Sequence, residues 1–172
     1  MSYHTAEIPD SQIESLLSRS LVVTLAIDDP DQIIRISDLA YLITELVQPA
    51  MHDKGESGHI AVCVPFITPC LRCTLSINDA TDIRRLDSEP ANSLDIAAVA
   101  QQAARIALDI AYSKVTGRPI TRWNTAKNLI WVSNTKDECS QDGPGLIFES
   151  SRKRPGCSVR DNSYGRTKGT EN

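Results

Sequence analysis

The sequence predicts an α/β fold, laid out as strand, helix, strand, a tight cysteine turn, a long alanine-rich helix and a C-terminal strand pair. Three observations predict it. A short, continuous apolar run, Leu21 to Ala26, suits a parallel strand covered on both faces. It ends at Asp28-Asp29-Pro30, and the apolar period then becomes helical. Further on, Leu94 to Val115 is alanine-rich, with Ile96, Val99, Ala103, Ile106, Ala107 and Ile110 at helical intervals.

Asp10 to Arg19 reads as a short helix with Ile13, Leu16 and Leu17 on one face. After the first strand, Ile33, Ile36, Leu39, Ala40, Ile43 and Val47 predict one helix that Pro49 ends. Asp31 lies near its start, where negative charge is favoured. This strand, acidic turn and helix form the building block of doubly wound sheets. His52 to Ser57 reads as a polar loop, and Gly58 to Pro65 as a second strand. Ser76 to Asn92 is polar and reads as a long connection. Ser93 is a plausible cap for the alanine-rich helix, which Gly117 closes. Asn128 to Ser133 and Leu146 to Ser150 are the final strand pair, separated by an acidic turn containing Gly and Pro. Residues 1–150 form the domain; 151–172 hold the remnant of a second cysteine knuckle and a basic, flexible tail.

Composition narrows the function. The 172 residues suit one domain, and 41% hydrophobic residues can supply a core. No apolar run approaches the roughly 18 residues of a membrane helix, and the polar, acidic N-terminus is no secretory signal, so the expected compartment is cytoplasmic. A net charge of −4 argues against nucleic acid as the main partner. The tail from Ser151 runs the other way, with six basic residues against two acidic ones, and reads chiefly as a solvated terminus.

Five cysteines without an export signal point to metal ligands or free thiols rather than disulfides. Placed three positions apart in a tight turn after a proline, Cys70 and Cys73 of the run TPCLRC can take adjacent corners of a zinc tetrahedron. A redox pair would need to begin a helix, and TLSINDATD is a poor start. Unliganded thiols are the other reading. Structural zinc needs about four ligands. Cys157 stands where a second pair would supply one, but Arg160 occupies the companion position. Cys139 and His59 are further candidates, although His59 reads first as a strand residue. Cys63 reads as a buried apolar residue.

Four segments in order resemble the ThiF/MoeB/HesA family of ubiquitin-activating-like adenylyltransferases. LVVTLAIDD is similar to the family's "VVDATDN" strand and turn, and GHIAVCVPFITPCLRC to its strand and "TPCYRC" zinc knuckle. AYSKVTGRP follows the helix where the family has a "GKP" turn, and RPGCSVRDN resembles its second knuckle, "NPGCPVCG". The likeness spans about residues 20 to 162.

The resemblance implies a partial Rossmann-like layer, a structural Zn²⁺ on Cys70, Cys73 and Cys157, and Asp28 as the Mg²⁺ ligand beside ATP, with Asp29 a second candidate. It implies the C-terminal part of an enzyme that activates the C-terminus of a ubiquitin-like or sulfur-carrier protein. None of the eight glycines forms GxGxxG, the loop whose amides approach the phosphates. The chain is therefore expected to be inactive alone, to need an N-terminal half from elsewhere, or to pair as a homodimer through its open sheet. The alternative is a non-catalytic, zinc-supported protein-binding module.

Overall fold

The computed structural model describes residues 8–52, 56–77, 93–120, 123, 126–133, 145–151, 157 and 159. Most of the expected long connection, the acidic turn between the last strands and nearly all of the basic tail lie outside the described residues. Helix α1 (Asp10–Leu17) leads into the short strand β1 (Val22–Thr24). Helix α2 (Pro30–Tyr41) then carries the chain to β2 (Glu45–His52), which pairs parallel with β1. The start of α2 is locally determined. Asp29 caps it, its Oδ1 accepting the N–H of Asp31 at 2.9 Å and of Gln32 at 3.1 Å, and Pro30 occupies the first turn.

The end of α2 differs from the sequence expectation. The helix stops at Tyr41 instead of running past Val47. The amides of Ile43 and Thr44 both close on the Ala40 carbonyl, and the chain emerges as a strand. Leu46 and Val47, both with no exposed area, face opposite sides of the sheet. A strand covered on both faces has no apolar stripe to betray it, so this stretch also satisfied a helical period. Pro49 sits inside β2 without breaking it. The Val47 carbonyl accepts from Leu25 on the β1 side, and by alternation the Pro49 nitrogen points the same way, beyond the end of β1.

Strand β3 (Ser57–Cys63) returns antiparallel to β2, Ala50 opposite His59 and Leu46 opposite Cys63. A short helix α3 (Leu71–Thr74) follows, then the 24-residue helix α4 (Ser93–Thr116), then β4 (Leu129–Ser133) and β5 (Gly145–Glu149), both antiparallel to their neighbours. The sheet order is β1-β2-β3-β4-β5. Only its first pair is parallel, so it is a mixed sheet and a partial Rossmann-like layer.

The register divides the sheet into two faces. Val47, Ile60, Val62, Ile130 and Val132 face α4, which packs Val99, Ala103, Ile106, Ala107 and Ile110 against them. The alanines let the helix lie close. The approach is tight at Gly58, where an added Cβ would stand 2.7 Å from the Ala50 carbonyl oxygen and 2.8 Å from Val99 Cγ2. Gly117 ends α4 with φ of +70°, its N–H bonded to the Ser113 carbonyl.

The other face carries Leu46, Ala61, Cys63 and Leu129 under α1, α2 and α3. Cys157 and Val159 pack into that same cluster. Charged clamps tie the layers: Arg72 of α3 grips Asp38 of α2 through Nε at 3.0 Å and Nη2 at 2.7 Å. Lys114 of α4 pairs with Glu45 of β2 and donates to the Leu21 carbonyl at 2.9 Å.

Candidate metal centre and a polar hollow beside it

The turn before α3 is built to hold the first two cysteines. The Thr68 hydroxyl accepts the Val64 amide at 2.7 Å, and the Tyr41 hydroxyl donates to the Thr68 carbonyl at 2.7 Å. Cys70, in an extended conformation, immediately precedes α3, and Cys73 lies one turn further along. The pair does therefore begin a helix, contrary to the sequence expectation, but one of only four residues. The Arg72–Asp38 clamp fixes this turn to α2. Packing of Val159 at 7% exposure anchors the segment that brings in Cys157 from the far end of the chain.

The three sulfurs of Cys70, Cys73 and Cys157 all lie within 4.8 Å of one another, with Cys70 and Cys157 at 3.4 Å. Thiolates on a tetrahedral Zn²⁺ stand about 3.8 Å apart, given bonds of about 2.3 Å. The spacing and the soft donor set therefore fit such an ion. Burial pushes the Cys70 thiol up from its ordinary value, and the neighbouring Cys157 sulfur adds to this. Two thiolates so close in an apolar site need a cation to compensate them. Burial likewise raises the Tyr41 phenol beside them to about 12, with the Cys70 sulfur contributing.

Cys63 is fully buried in β3 as an apolar strand residue, its thiol pushed up to about 12 by burial while the Thr74 hydroxyl acts in the opposite sense. Arg160 and Cys139 lie outside the described residues. Asp28 is exposed beyond the C-terminal end of β1, whereas the Asp29 carboxylate is engaged in capping α2.

His59 does not join the cysteines. It lies on the same face of the sheet, farther along β3, and belongs to a second constellation that sequence reasoning missed. Its Nε2 is 3.0 Å from Gln48 Oε1, and its Nδ1 is 2.6 Å from His52 Nε2. The Gln48 amide nitrogen donates to the Pro49 carbonyl, so Oε1 is the acceptor that faces His59. His59 therefore carries its proton on Nε2 and accepts at Nδ1 from His52. At 2% exposure, burial and the His52 ring hold it down at about 3.

Trp131 stands against both imidazoles, ring centres 5.8 and 6.1 Å away, and donates its indole N–H to Glu149 at 3.0 Å. These groups border a hollow of about 490 Å³ that Cys73, Thr74 and Ser151 also wall. Buried Asn128 braces that wall, donating to Thr74 Oγ1 at 2.9 Å and accepting the Ser151 hydroxyl at 2.8 Å and amide at 3.1 Å.

The fold and the thiol cluster together define an α/β protein with a three-cysteine metal-binding geometry. No family model matches the sequence, and no curated protein matches it. Solved structures do. Escherichia coli MccB with ATP superposes at a TM-score of 0.55 and 14% identity, covering 88% of this chain and 42% of MccB. MccB with AMPCPP and MccA gives 0.53 and 14%, covering 91% and 44%. The E. coli microcin synthetase McbBCD complex with pro-MccB17 gives 0.49 and 15%, covering 81% and 55%. The chain spans less than half the length of MccB, and at this identity the likeness concerns the fold.

Proposed function

We propose that this chain is the zinc-supported C-terminal part of an ATP-dependent adenylyltransferase that activates the C-terminus of a ubiquitin-like or sulfur-carrier protein. The observation that carries the reading is the convergence of Cys70, Cys73 and Cys157, two from one knuckle and the third 87 positions beyond Cys70. The sharing of a fold with MccB, which is solved with ATP, supports it. In such a reaction a carboxylate oxygen attacks the α-phosphorus of ATP and pyrophosphate leaves. Electrostatic compensation of the phosphate charge dominates catalysis of that step.

Asp28 is the residue of this chain that would hold Mg²⁺ beside the phosphates, since ligands of open α/β sheets gather at the C-terminal ends of parallel strands. The donors that grip the triphosphate have no counterpart in this sequence, which lacks GxGxxG. In this reading they lie outside these 172 residues, in a complementary half or a second copy. Exposed apolar residues Leu108, Tyr112 and Val115 on α4, one to two turns apart, are a surface for that contact.

The test is carboxylate-dependent exchange of labelled pyrophosphate into ATP, with a panel of sulfur-carrier and ubiquitin-like proteins as substrates. Exchange that needs the carrier and is lost in Asp28→Asn supports the proposal. Carrier binding with no exchange, in the chain alone and with a complementing half, supports instead a non-catalytic binding module.

A further inference from the structure

We propose that the hollow between Trp131 and the knuckle binds the side-chain cation of a lysine or arginine presented by a partner polypeptide. The inference stands on the second constellation and does not depend on adenylyl transfer or on a metal. Three aromatic rings form one wall: His52 and His59 stack with centres 4.8 Å apart, and Trp131 lies tilted against both. Cations are attracted to the face of an indole ring such as that of Trp131. The Glu149 carboxylate sits on this wall, oriented by the Trp131 indole N–H. Thr74 and Ser151 also line the hollow.

Among the described lining residues the carboxylate of Glu149 favours a cation over an anion. No lysine or arginine is among them. His59 stays neutral, because its two nitrogens are committed to Gln48 and His52 in the one-proton form and burial opposes a second proton. The volume of about 490 Å³ accommodates a guanidinium or ammonium with part of its alkyl stem.

The test follows the two tryptophan indole N–H signals by NMR in the full chain. Trp123, buried with its indole bonded to the Lys127 carbonyl, is the internal control for an intact fold. N-acetyl-arginine methylamide and N-acetyl-lysine methylamide should shift the Trp131 signal saturably, with dissociation constants of about 0.1–10 mM, and leave Trp123 unmoved. The neutral citrulline analogue should bind at least about tenfold more weakly, and Glu149→Gln should weaken the cations about five- to tenfold. Equal shifts with the citrulline analogue, no saturable shift with either cation, or undiminished cation binding by Glu149→Gln would each overturn the assignment.

Discussion

The sulfurs of Cys70 and Cys157 lie 3.4 Å apart although 87 positions separate them in the chain. Cys73 completes the group one helical turn from Cys70. Such a closure ties the end of the chain to the turn before α3 and to the α2 helix that Arg72 clamps. The first prediction concerns metal. The purified chain should hold about one zinc equivalent by elemental analysis, and Cys70→Ser or Cys157→Ser should lose it. With zinc at about a hundredfold excess over its dissociation constant, the metal adds about 2.7 kcal/mol, so chelation should lower Tm by roughly 5–10 °C. A chelator-insensitive melt with no bound metal would leave the cysteines as unliganded core thiols.

Asn128 joins the strand pair to the knuckle. It is 1% exposed and bonds Thr74 on one side and Ser151 on the other. Asn128→Ala removes those hydrogen bonds from a buried site and opens a small void. The expected cost is about 2–4 kcal/mol, read from urea unfolding. Because the same bonds brace the wall behind Cys73, the variant should also release zinc more readily to a competing chelator. A stability change within about 0.5 kcal/mol would show that the clamp is not a structural element.

Gly58 is required by contact rather than by backbone angle. A methyl group there would stand 2.7 Å from the Ala50 carbonyl and 2.8 Å from Val99. Gly58→Ala should therefore push α4 off the sheet and destabilise by about 1–3 kcal/mol. Combining it with Val99→Ala removes one of the two clashes, and part of the loss should return.

Asp28 and Asp29 separate structure from chemistry in adjacent positions. Asp29→Ala removes the cap of α2 and should cost about 1 kcal/mol of stability. Asp28→Ala, at an exposed position, should leave the stability within about 0.5 kcal/mol of the parent. A matching loss in both variants would assign Asp28 to the turn rather than to a ligand.

Different parts of this arrangement were legible in the sequence for different reasons. Cys70 and Cys73 were legible because their spacing is local, and Cys157 because the segment around it resembles a second knuckle. Helix α4 was likewise readable from its period, and the final strand pair as apolar segments around an acidic turn. Strand β1 was readable as a short apolar run, although it is a partly exposed edge strand rather than one covered on both faces. Strand β2 was not readable. Leu46 and Val47 are buried on opposite faces, and such a run carries no period of two to set against the helical one. The hollow was hidden more deeply. His52, His59, Trp131 and Glu149 come from four different strands, and only the register of Ala50 with His59, His59 with Trp131 and Leu129 with Glu149 puts them on one face. The one signal available was parity: His59, Ala61 and Cys63 alternate along β3, so His59 had to share the face of the buried cysteine.

Protonation of His59 supplies the last prediction. Its value falls from 6.5 to about 3 on folding, so the unfolded chain binds the extra proton first as pH drops. Stability from the neutral ring is complete above about pH 6.5 and is lost progressively as pH falls toward about 3. One unit corresponds to about 1.4 kcal/mol, so between about pH 6.5 and 4.5 this single group should withdraw on the order of 2–3 kcal/mol. His59→Gln cannot take up that proton. The variant should be less stable than the parent at neutral pH, yet its urea midpoint should change less between about pH 6.5 and 4.5. Parallel pH profiles for the two proteins would mean that His59 is hydrated or protonated in the folded state, and that the Gln48–His59–His52 chain does not hold a neutral imidazole.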